Sequence, residues 1–109
     1  MIPHEEHRDP EPDEIVRVEV IANRSIREDF FEALSRREVG LYHTLVSDVQ
    51  GVGHAGPRRG DHIWPEENFL YIAYVSTGDA RVIRAEVDAL RERFPDEGIR
   101  FFATRGIAV

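Results

Sequence analysis

A four-stranded antiparallel sheet carrying two helices on one face, in the chain order β-α-β-β-α-β, is the α+β fold this sequence predicts. Three observations predict it. Segments with alternating apolar residues and segments with apolar residues every three or four positions follow one another in that order. The third strand segment is apolar on both faces, as a central strand should be. A chain of 109 residues, 41% hydrophobic and 32% charged, has enough apolar surface for one core and has the size of one domain.

The first strand is expected over residues 14–22, where Val16, Val18, Val20 and Ala22 share one face and Arg17 and Glu19 lie on the other. Ser25 and Glu28 stand at capping-box spacing and predict a helix start. Ile26, Phe30 and Leu34, widened by Phe31, make its apolar stripe; the helix should end near Glu38, with Gly40 as the left-handed terminating residue. Residues 41–50 read as a second strand with imperfect alternation, including His43 among Leu41, Tyr42 and Leu45. Residues 69–76 form the third strand, expected to be the best buried. Thr77, Gly78 and Asp79 supply a turn and cap, and Ile83, Val87, Leu90 and Phe94 mark a second amphipathic helix stopped by Pro95. Residues 99–103 give the fourth strand, and residues 107–109 a short edge strand or a tail docking on a neighbouring subunit. With right-handed crossovers this order folds into the ferredoxin-like plan.

Two segments lie outside that plan. Residues 1–13 form an acidic, proline-rich tail with too little apolar surface to offset ordering, so it should be flexible, and it holds much of the net charge of −7. The remaining residues, 14–109, are the domain, and they lack the basic footprint of a nucleic-acid binder. The second segment is the connection between the second and third strands. Residues 51–67 replace a simple hairpin turn with seventeen residues rich in glycine, and loops of this length in compact domains are usually functional or disordered.

At this loop the chain resembles the P-II (nitrogen-regulatory) signal-transduction superfamily. Val49-Gln50-Gly51-Val52-Gly53-His54 stands where a strand of that family runs into a Gly-x-Gly pair opening its long T-loop, and the segment from Gly60 to Asn68 is similar to the return of that loop. The resemblance implies a homotrimer with its sheets facing inward, a small-molecule effector bound in clefts between subunits, and a target protein, a membrane transporter among the candidates, contacted by the loop. The adenine-nucleotide binders of the family carry a second, glycine- and lysine-rich phosphate loop; here its place is taken by residues 93–100, with one glycine, no lysine and the acids Asp96 and Glu97. That composition argues against ATP or ADP as the cofactor. No tyrosine in the loop offers a modification site.

The loop concentrates adaptable polar groups. Gly51, Gly53, His54, Arg58, Arg59, Asp61 and Trp64 are the candidate ligand-binding residues: the arginine pair for forked grip of an anion or an acidic partner, Trp64 as an anchor or hot spot. His54, His62 and Glu66 are the candidate ligands for a divalent metal, zinc, copper or nickel, competing with the plainer reading that loop histidines face water. With no cysteine in the chain, thiolate sites and disulfides are excluded. Ser25, Ser35, Ser47 and Ser76 show no nucleophile context, so the expectation is a non-enzyme. No secretory signal pattern opens the sequence and no apolar run reaches membrane-spanning length, which predicts a cytoplasmic protein. Because two helices cover one face of a sheet whose third strand is apolar on both, an exposed patch around Tyr71, Ile72 and Tyr74 should be closed by trimer formation.

Overall fold

The computed structural model describes residues 14–51 and 66–109. The acidic tail and most of the long loop, residues 52–65, lie outside the described residues.

Four strands and two helices follow the expected order: β1 (Glu14–Asn23), a 3-10 turn (Arg24–Ile26), α1 (Arg27–Arg37), β2 (Thr44–Gly51), β3 (Glu66–Val75), α2 (Thr77–Arg93) and β4 (Ile99–Ile107). The sheet runs β2-β3-β1-β4 and every neighbouring pair is antiparallel, which is the ferredoxin-like topology. β1 and β3 are therefore the central strands. Val16, Val18, Val20 and Ala22 of β1 join Phe69, Tyr71 and Ala73 of β3 in a core closed by Ile26, Phe30 and Leu34 below α1 and by Ala80, Ile83, Val87 and Leu90 of α2. β1 buries more apolar residues than β3, contrary to expectation, because among the helix-facing positions of β3 Val75 is only half-buried and Glu67 is exposed. The helices are tied across their outer surfaces by Glu86, which meets Arg36 at 3.5 Å and Arg37 at 3.2 Å, and by Arg93 with Asp29 at 3.2 Å.

The element ends depart from expectation for local reasons. Asn23, not Ser25, is the capping side chain at the end of β1: its oxygen accepts from the Ser25 amide at 2.9 Å, and Ser25 itself lies within the 3-10 turn. α1 ends where its stripe does, but its left-handed terminating residue comes before Gly40. Glu38 adopts that conformation at φ 52°, with its amide and that of Val39 returning to the carbonyls of Ser35 and Leu34, the paired hydrogen bonds that close many helices. Gly40 is left-handed as well, at φ 61°. α2 begins at Thr77, capped by the Ser76 hydroxyl on the Asp79 amide at 3.1 Å, so the expected turn at Gly78 is helix. β2 starts at Thr44, leaving Leu41, Tyr42 and His43 in the connection, and its poor alternation is a β-bulge between Val46 and Val49 with Asp48 at φ 59°. β4 runs unbroken to Ile107, so the separate edge strand expected at 107–109 does not exist.

Candidate functional site

The loop stem is the best-defined part of the predicted site. β2 and β3 stay paired down to its base, with Val49 opposite Asn68, Gln50 opposite Glu67 and Gly51 opposite Glu66. The loop thus leaves and re-enters the sheet at adjacent positions. Arg24, just past β1, reaches this base from the side: its guanidinium lies 2.7 Å from the Glu67 carboxylate and 3.9 Å from that of Asp48. Both pairs are largely exposed, so their value is in orientation more than in stability. Arg24 thereby links the β1–α1 corner to the bulged strand and to the returning strand at one point.

Of the predicted site residues, Gly51 ends β2 and Glu66 begins β3, side by side in the register. Gly53, His54, Arg58, Arg59, Asp61, His62 and Trp64 lie outside the described residues. Arg24 and Asp48 were missed. A single acid inside a run of strand-forming residues is a bulge signal, and it could have pointed to Asp48; nothing local marks Arg24.

A second region surrounds the α2–β4 connection. An open hollow of about 460 Å³ is lined by Arg91, Pro95, Glu97, Gly98 and Arg100 among others. Arg91 does not face it as a free cation. Its Nε and Nη2 donate to the Ile99 carbonyl at 3.2 and 3.0 Å, and its Nη1 meets Asp88 at 3.0 Å. Beside the segment expected to make a poor phosphate cradle, Arg91 is thus committed to holding the turn into β4; within it Arg93 pairs with Asp29, and Arg100 lines the hollow.

The third region is the α1–β2 connection. The Tyr71 hydroxyl, buried on the helix side of the sheet, donates to the Gly40 carbonyl at 2.6 Å, and burial pushes its ionisation up to about 12 from the ordinary 10.0. A Cβ on Gly40 would collide with that hydroxyl, so glycine is required there by space as well as by φ. His43 closes the same cluster, its ring centroid 5.0 Å from Phe31 and 5.2 Å from Tyr71 and its Nδ1 2.9 Å from the Leu41 carbonyl. Tyr71 was expected in an exposed patch and is instead fully buried, since odd positions of β3 face the helices. Ile72 and Tyr74 do face away from the helices; Tyr74 is 57% exposed. Tyr42, 95% exposed beside them, lines a smaller hollow of about 330 Å³ with Tyr74, Ser76 and Asp79.

No protein-family model matches the chain, and no curated protein does. Solved structures do match. CPII, a nitrogen regulatory PII-like protein from Thiomonas intermedia K12 bound to ADP, AMP and bicarbonate, superposes with a TM-score of 0.64 at 18% identity, covering 88% of this chain and 96% of that one. The chain has the PII-like fold. A PII-like signalling protein from Thermus thermophilus has a TM-score of 0.56 at 16% identity over 88% of this chain and 90% of that one. A phage SAM lyase in complex with S-methyl-5'-thioadenosine has the same arrangement, with a TM-score of 0.58 at 13% identity over 93% and 95%. The PII-like fold therefore supports signalling proteins and at least one lyase, and the fold alone does not choose between them. Among the described residues no helix is long and apolar enough to cross a membrane and no group of three or more metal-ligating side chains is assembled.

Proposed function

We propose that this chain is a PII-like regulator: a homotrimer that binds a small effector in clefts between its subunits and a target protein through residues 51–67. The observation that carries the reading is the likeness to CPII over nearly the whole of both chains, together with a long glycine-rich connection between β2 and β3 in place of a hairpin turn. Gly51, Gly53, His54, Arg58, Arg59, Asp61 and Trp64 are the residues proposed to meet effector or target, on a loop whose stem is paired and braced by Arg24.

The effector is proposed to contain adenosine. CPII is bound to ADP and AMP, and the lyase is bound to S-methyl-5'-thioadenosine; adenine with its ribose, up to the 5' carbon of adenosine, is the part these ligands share. In this chain Glu97 lines the hollow at the turn into β4, Arg91 is taken up by Ile99 and Asp88, and Arg100 is the one other cation lining it, so a ligand with few or no phosphates suits it better than ATP. Calorimetry of the purified protein against AMP, ADP, ATP, S-methyl-5'-thioadenosine and bicarbonate tests this, with zinc, copper and nickel in the same series. Binding of AMP or the thioether nucleoside ahead of ATP is the expected result. Heat from none of the adenosine ligands overturns the effector assignment, and heat from metals alone transfers the function to His54, His62 and Glu66.

A further inference from the structure

The face of the sheet turned away from the helices carries a band of apolar residues, with Thr44, Arg100 and Thr104 on its edge strands and two charges at its centre. Ile21 lies opposite Leu70, which lies opposite Val46, and the face continues through Ile72, Tyr74 and Phe102. Val46, Tyr74 and Phe102 are 41%, 57% and 48% exposed, well above what apolar side chains need to be in a covered sheet. Into this face β1 sets two charges. Arg17 stands opposite Tyr74 and Thr104, and Glu19 opposite Ile72 and Phe102. They form an ion pair at 3.4 Å, and Arg17 also donates to the Tyr74 hydroxyl at 2.9 Å with its guanidinium 5.8 Å from the ring centre.

Charges in the middle of an apolar surface weaken nonspecific burial and favour only those arrangements in which each meets an opposite charge. We propose that the Arg17–Glu19 pair sets the register and the number of copies when this face packs against further copies of the same chain; the inference rests on the homotrimer reading above. A second copy is the occupant that the chemistry fits. The adjacent positive and negative groups at its centre are self-complementary, so that Arg17 of one copy can meet Glu19 of another, and the one further cation of the face among the described residues, Arg100 opposite Ile21 on the edge strand β4, falls short of the cluster of cations that an anionic lipid or nucleic-acid surface would call for. The area is adequate: four strands about 4.8 Å apart and about 3.3 Å per residue span roughly 600 Å². Two such faces reach the ~1,000 Å² at which association becomes specific. The role assigned to the pair is selective, since a buried ion pair adds little net affinity over an apolar replacement but its broken half is costly.

Light scattering and native mass spectrometry of the wild type, Arg17→Met, Glu19→Leu and the double variant test the proposal. The wild type should give one trimeric species. Each single variant should weaken association about tenfold or more, because the remaining charge is left unpaired between the copies. The double variant should associate at least as tightly as the wild type but spread over several stoichiometries. Neither side chain is part of the core, so all variants should keep the wild-type far-UV dichroism at concentrations where the trimer has dissociated. A trimeric wild type with single variants within twofold of it overturns the role of the pair and leaves the trimer standing; so does a double variant that forms the wild-type trimer alone. A monomeric wild type, its open face covered by its own loop or tail or by nothing, overturns the trimer and this inference with it.

Discussion

The hydroxyl of Tyr71 and the backbone of Gly40 depend on each other. The 2.6 Å bond satisfies a carbonyl in the α1–β2 connection, and the hydroxyl occupies the space a side chain at position 40 would need. Tyr71→Phe should cost about 1–3 kcal/mol by leaving the Gly40 carbonyl without its partner, read from urea unfolding. The same bond predicts an alkaline limit. Because the folded hydroxyl ionises near 12 and the unfolded one near 10.0, the contribution is complete below pH 10 and is lost as pH rises towards 12. Melting temperatures of the wild type and Tyr71→Phe should therefore converge over that interval; a gap that stays constant would mean Tyr71 does not ionise with unfolding. Glu38 makes the opposite case. A non-glycine residue at φ 52° holds a conformation that costs about 1 kcal/mol, so Glu38→Gly should raise stability by roughly that amount. The sequence signalled a left-handed residue here but pointed to Gly40, since nothing local reveals that the helix closes two residues sooner on a glutamate.

At the scale of elements, periodicity was a reliable guide wherever one face is buried. The Ile83, Val87 and Leu90 stripe of α2 and the Val16, Val18, Val20 and Ala22 face of β1 lie in the core as their spacing demands. Leu90→Ala should cost about 2–5 kcal/mol through lost burial and a residual cavity. A loss within ~0.5 kcal/mol, the range of surface substitutions, would mean that α2 presents another face to the sheet. Element ends were less legible because they are decided by competing side chains: Asn23 outcompetes Ser25 as a cap, and Ser76 draws the helix start ahead of Gly78. The bulge in β2 was visible only as poor alternation. Asp48 sits there at φ 59°, with Arg24 3.9 Å away, so Asp48→Gly should be neutral or stabilising by up to ~1 kcal/mol, whereas Asp48→Val should destabilise by more than ~1 kcal/mol because a β-branched residue resists that conformation.

For the whole molecule, the order of elements carried the topology, because two helices crossing over a four-stranded sheet leave few arrangements once crossovers are right-handed. The candidate site rests on composition, a glycine-rich segment crowded with histidine, arginine and acid, and composition carries no geometry; residues 52–65 lie outside the described residues. The separation of fold from loop can be tested directly by replacing residues 54–64 with a short glycine-serine linker. The core found among the described residues is built without the loop, and Gly51 and Glu66 face each other in the register, so the linker has only a short gap to close and shortening the loop slightly lowers its closure cost. Far-UV dichroism and the unfolding midpoint should therefore stay near the wild type. Trimer formation should also persist, because the open sheet face with Arg17 and Glu19 is untouched. Binding should not: with His54, Arg58, Arg59, Asp61, His62 and Trp64 removed, calorimetry should show loss of the adenosine ligand, of the metals, or of a target protein captured by the wild type. A variant that folds, assembles and binds as before would remove the loop from the function and move the effector site to the sheet and its α2–β4 corner, whereas a variant that cannot fold would make residues 54–64 part of the structure and take away the main support for a regulator built on a paired stem.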